Sequence, residues 1–61
     1  MTCLVEVLND KTRRISWIRR VIPTASYEAA LAAARAVDAT LPAWAAVAAV
    51  ELADGRRWVI D

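Results

Sequence analysis

Two prolines, Pro23 and Pro42, bracket the stretch of this chain that reads most plainly as a helix, and that bracket limits the fold more than any other feature. Proline removes a backbone donor and clashes with the preceding helical turn, and the residue before it is pushed out of the α region. Between the two, Tyr27, Ala30, Leu31, Ala34, Val37 and Leu41 recur at helical spacing and form one apolar stripe, interrupted near its border by Asp38. Ser26 is the expected N-cap, and Glu28 falls in the first turn, where its charge favours the helix dipole. The opposite face carries Glu28, Arg35 and otherwise mostly alanine, a strong helix former.

Outside the bracket the residues are strand formers. Residues 2–8, TCLVEVL, end at a turn-forming NDKT cluster, and residues 13–22, RRISWIRRVI, form a second strand stopped at Pro23. With Asp10 and Lys11 as the tip, Leu8 faces Arg13, Glu6 faces Ile15 and Leu4 faces Trp17; a slip of one residue would exchange the faces. Residues 44–53, WAAVAAVELA, read as a third strand, because Asp54-Gly55 between apolar runs is a strong hairpin signal. A two-residue turn there sets Ala53 against Arg56, Leu52 against Arg57, Glu51 against Trp58 and Val50 against Val59. The competing reading extends a helix through alanines 43–49. The expected fold is α+β: a single ββαββ domain over residues 1–61, with a four-stranded antiparallel or mixed sheet and one helix packed on one face. In architecture this layout resembles the β-grasp of small immunoglobulin-binding domains.

A chain of 61 residues buries only about 60% of its unfolded surface, so its stability margin is narrow unless something staples it. Cys3 is the sole cysteine and there is no histidine, which excludes an internal disulfide and leaves no paired zinc-ligand spacing. Apolar burial must serve instead, and 59% apolar residues is high for this length. The net charge of +1 gives no global attraction to DNA or membrane. No run approaches the roughly 18 apolar residues of a membrane span, and MTCLVEVLND lacks the basic start of a signal peptide. With the unpaired thiol, these features predict a cytoplasmic, reducing location. Fourteen alanines, and seven arginines against one lysine, point to a GC-rich coding background of bacterial or phage type.

Strand alternation then yields the most informative expectation. One side of the sheet carries Cys3, Val5, Val7, Ile18, Val50, Leu52 and Val59, a core for the helix stripe. The other carries Leu4, Leu8, Ile15, Trp17, Val21, Val47, Trp58 and Ile60, with Glu6, Arg13, Arg19, Glu51 and Arg56 among them. A half-solvated antiparallel sheet normally turns polar residues outward. Here both faces are apolar and one helix covers one. Four short strands present an uncovered face on the order of 400 Å², in the size range of functional patches on monomers.

The predicted partner-binding surface is therefore Arg13, Ile15, Trp17, Arg19, Arg56, Trp58 and Ile60. Its occupant is expected to be another protein, a second copy of the chain through the uncovered sheet face, or both. Arginine and tryptophan also suit sheet-based nucleic-acid binding, but Glu6 and Glu51 on the same face repel phosphates, which makes that the second reading. Trp44 is expected to lid the helix end, Cys3 to be a small buried residue, and Tyr27 to pack with its hydroxyl in water. Catalysis has few materials: no histidine, two serines without a local base, carboxylates in unrelated elements and a single glycine. Neither an enzyme nor a cofactor is expected.

The compact layout and the closing DGRRWVID are similar to small phage-encoded inhibitors, including some type I anti-CRISPR proteins with a strand–strand–helix–strand pattern and a basic, Trp-containing end. That resemblance implies a non-catalytic protein that docks on a host defence complex and blocks nucleic-acid binding or nuclease recruitment. It transfers no site residues. A structural subunit of a larger assembly is the remaining alternative.

Overall fold

A computed structural model describes residues 1–60. Its elements are β1 (Thr2–Asn9), β2 (Ile15–Val21), α1 (Tyr27–Asp38), β3 (Ala45–Leu52) and β4 (Arg57–Val59). They form a four-stranded sheet of order β2-β1-β3-β4 in which every neighbouring pair is antiparallel, with one helix packed on it. The fold is thus α+β in the order ββαββ. The mixed-sheet option falls away, because β1 lies between β2 and β3 and not beside β4. The alanine-rich residues 45–49 are strand, not a continuation of the helix. Among the described residues no helix is long and apolar enough to cross a membrane.

The helix forms as its sequence dictates. Ser26 has extended backbone geometry, and its hydroxyl accepts a hydrogen bond from the Ala29 N–H. Ala30, Ala34 and Val37 are buried against the sheet, mainly over β1 and β3, and two of these three are alanines that let the helix come close. The helix ends at Asp38, four residues before Pro42. Thr40 closes the end by donating from both its N–H and its hydroxyl to the Val37 carbonyl. The core consists chiefly of Cys3, Val5, Val7, Ile22, Val37, Val47, Val50 and Leu52. Cys3 is fully buried, as its small apolar character predicts, and burial pushes its thiol pKa up, only partly offset by the nearby amino terminus. No buried side-chain polar atom among the described residues lacks a hydrogen-bond partner.

Both hairpins use longer turns than the sequence predicts, with opposite consequences. In the first, Asn9 pairs with Arg14, and residues 10–13 form the loop. The Asn9 side-chain oxygen accepts from the N–H groups of Lys11 and Thr12, and Arg13 closes the turn at φ 60°. Leu8 therefore faces Ile15, Glu6 faces Trp17 and Leu4 faces Arg19. That is a shift of two residues from the expected register, so every β2 side chain keeps its face. In the second hairpin the loop is Ala53-Asp54-Gly55. The Gly55 N–H donates to the Leu52 carbonyl and Gly55 lies at φ 95°, a type I turn followed by a left-handed residue. Glu51 now faces Arg57, Val50 faces Trp58 and Ala49 faces Val59. This shift is one residue, and it turns the whole of β4 over.

A β-bulge adds a further change of face. Glu6 pairs with Ala49 but Val7 pairs with Val47, so Ala48 is the extra residue on β3. Beyond it Val47 turns into the core, where strict alternation would have put it outside.

Candidate protein-binding face of the sheet

The sheet surface away from the helix is built in rows that cross the strands. One row is Arg19, Leu4, Glu51 and Arg57. The next is Trp17, Glu6, Ala49 and Val59, and the third is Ile15, Leu8 and Ala46; Val21 and Thr2 close the opposite end. Four of the apolar members stand in solvent: Ile15 is 47% exposed, Trp17 55%, Val59 71% and Val21 81%. Leu4 between them is also exposed.

The charges on this face are arranged for one another. Arg57 Nη2 donates to Glu6 Oε2 at 2.6 Å, and its Nη1 lies 3.9 Å from Glu51 Oε2, so one guanidinium bridges two carboxylates on two strands. Glu6 is only 7% exposed although it belongs to the face without a helix. Trp17 stands directly opposite it, and the small Ala49, itself buried, leaves room for the Arg57 side chain to cross. Arg19 has no carboxylate partner among the described residues. Two arginines and two glutamates give the face a formal balance of zero (2 − 2). Its character is apolar, with a neutralised centre.

Of the seven residues predicted for a binding surface, the structure brings together Ile15, Trp17 and Arg19. The other four need correction. Arg13 is the left-handed residue of the first turn, where its guanidinium lies 3.7 Å from Asp10. Arg56, Trp58 and Ile60 lie on the helix side, because the three-residue loop inverts β4. Trp58 packs edge-on against Tyr27 with ring centroids 6.0 Å apart, and both Trp58 and Ile60 contact the core. Arg56 pairs with Asp54 at 2.7 Å and lies 5.9 Å from the Trp58 ring centroid. That hydrogen-bonded pair holds the Asp54 carboxyl below the usual carboxylate range and raises the Arg56 guanidinium. Val59 moves the opposite way, from the expected core to the outer face.

Arg57 and Val59 are thus members of the surface that strict reading of Asp54-Gly55 as a two-residue turn misses. A signal for them exists. Only the inverted strand sets Trp58 and Ile60 against the core, which leaves Arg57 and Val59 for the outer face. Trp44 does not lid the helix: it is partly exposed beside the first turn, with Lys11 Nζ 5.7 Å from its ring centroid and its carbonyl accepting from the Asp10 N–H. Tyr27 packs as expected and remains half exposed. No group of three or more His, Cys, Asp or Glu side chains among the described residues is placed to hold a metal ion. Comparison of the chain with known family models, curated proteins and solved structures finds no match.

Proposed function

We propose that this chain is a non-enzymatic binding protein that lays the outer face of its sheet on another protein in the cytoplasm and acts by occupying that surface, in the manner of small phage-encoded inhibitors. One observation carries the reading. Leu4, Ile15, Trp17, Val21 and Val59 are held in water by a sheet whose single helix lies on the other side. Burial of one large apolar side chain is worth about 1.5–3 kcal/mol, so covering several is a strong drive to association. An exposed tryptophan with arginine on the same strand suits a protein interface. The balance of charge argues against nucleic acid: Arg57 is consumed by Glu6 and Glu51, which leaves Arg19 alone to meet a phosphate.

The test is affinity capture from a bacterial host lysate with three baits: wild type, Trp17→Thr/Val59→Thr on the outer face, and Arg35→Ala on the exposed side of the helix, each first shown to be folded. Proteins retained by wild type and by Arg35→Ala are expected to be lost from the double variant, and to stay bound in high salt and after nuclease treatment. Equal recovery by the double variant would remove the outer face from the function. Loss of the captured proteins on nuclease treatment or at modest salt would move the reading to nucleic acid.

A further inference from the structure

The edge of the sheet carries a second surface, distinct from the outer face. β2 is the edge strand, and β4 at the opposite edge is only three residues long. Along β2 only Ile18 is partly buried, against the core, and the other six residues are exposed, because the helix packs mainly over β1 and β3. A seven-residue edge with unpaired backbone groups is a template for another strand.

The direction of those groups follows from the ladder. Ile22 and Met1 exchange both main-chain hydrogen bonds, the Ile22 N–H to the Met1 carbonyl at 2.7 Å and the Met1 amino group to the Ile22 carbonyl at 3.0 Å. Hydrogen-bonded and non-bonded pairs alternate along an antiparallel ladder. Arg20, Ile18 and Ser16 therefore turn their amides toward β1, while Val21, Arg19, Trp17 and Ile15 turn theirs outward.

We infer that β2 pairs antiparallel with β2 of a second copy about a twofold axis through Ile18, joining two four-stranded sheets into one of eight. Only registers that oppose two outward residues can form a ladder, which leaves centres at residues 16 to 20. Centring on 16 pairs only residues 15–17 of the strand and sets Arg19 against Arg13. Centring on 19 or 20 sets Arg19 against Arg19, or Arg20 against Arg20, and like charges directly opposite are destabilising. Centring on 17 shortens the ladder and brings Arg20 opposite Arg14. Centring on 18 uses all seven residues and matches each one: Ile15 with Val21, Ser16 with Arg20, Trp17 with Arg19, and Ile18 with itself on the axis. The Trp17–Arg19 match occurs twice and sets a guanidinium beside an indole, a favourable cation–π arrangement. Arg19 and Arg20, which guard the edge against indiscriminate strand addition, thereby restrict it to one register. The occupant is a second copy because the strand ISWIRRV complements itself when reversed.

Ser16 provides the test, since it is exposed on the helix side of β2 and remote from the outer face. In the edge dimer it lies opposite Arg20 of the second copy, twice by symmetry. Sedimentation equilibrium of wild type is expected to show a monomer–dimer equilibrium. Ser16→Glu is expected to tighten it and Ser16→Lys to weaken it, each by between about 2-fold and about 30-fold for two cross-strand charge pairs. Arg19→Pro removes an outward N–H without touching the β1 ladder and is expected to give a folded monomer by circular dichroism. A wild type that stays monomeric at the highest soluble concentration would overturn the inference. So would a dimer that is indifferent to both Ser16 variants, or one that survives Arg19→Pro and is lost in Trp17→Thr/Val59→Thr, which would place self-association on the outer face.

Discussion

Removing the Arg57 guanidinium leaves the Glu6 carboxylate nearly buried with no partner, so Arg57→Ala is expected to lower the unfolding free energy by about 1–2 kcal/mol in urea. That is below the range for fully buried pairs, because the Arg57 side chain is itself 45% exposed. The double variant Glu6→Leu/Arg57→Ala replaces the charge with an apolar group and is expected to recover most of the loss. Equal losses in the single and double variants would show that Arg57 stabilises the sheet by packing alone. The residue scale is also where sequence reading succeeded and failed side by side. Ser26 as N-cap, Cys3 as a buried thiol and Trp17 as an exposed aromatic follow from local chemistry. Arg57 does not: alternation places it correctly only after the turn before it is known, and its closest carboxylate, Glu6, comes from a strand distant in sequence.

The elements were legible wherever a local signal was strong: the period of α1 between its prolines, the branched residues of β1 and β2, and the hairpin signal that made residues 45–52 a strand despite their alanines. Turn lengths were not, and they decide faces. The first loop misplaced the register by two residues and changed no side. The second misplaced it by one and turned Arg56, Trp58 and Ile60 toward the helix. Asp-Gly fits both a two-residue turn and the end of a three-residue loop. Burial decides between them, since the observed register sets Trp58 and Ile60 against the core and leaves Arg57 and Val59 outside. Gly55 at φ 95° has nothing within 4 Å of a Cβ, so Gly55→Ala carries backbone strain alone. It is expected to cost about 1 kcal/mol of stability, whereas Arg13→Gly at φ 60° is expected to be neutral or stabilising. Thermal unfolding of the two variants checks both. A neutral Gly55→Ala would mean that position 55 is not held at positive φ and that the three-residue loop is wrong.

At the scale of the whole molecule, one helix and four strands give a sheet with a packed side and an open side. The helix side holds the fold through Val5, Val37, Val50 and Leu52, each essentially buried. The open side holds apolar residues that make no core for this chain, and the proposed partner contact rests on them. The proposed edge pairing leaves the open side available, so an eight-stranded dimer would present two outer faces on one continuous sheet. The division of labour between the faces is measurable in the unfolding free energy of two variants at a concentration where the chain is monomeric. Trp17→Thr/Val59→Thr is expected to stay within about 1 kcal/mol of wild type, while Val5→Ala, which empties a packed site under the helix, is expected to cost about 2 kcal/mol. If the outer-face double variant instead loses as much as Val5→Ala, or fails to unfold cooperatively, that face belongs to the protein's own core and is not a surface kept for a partner.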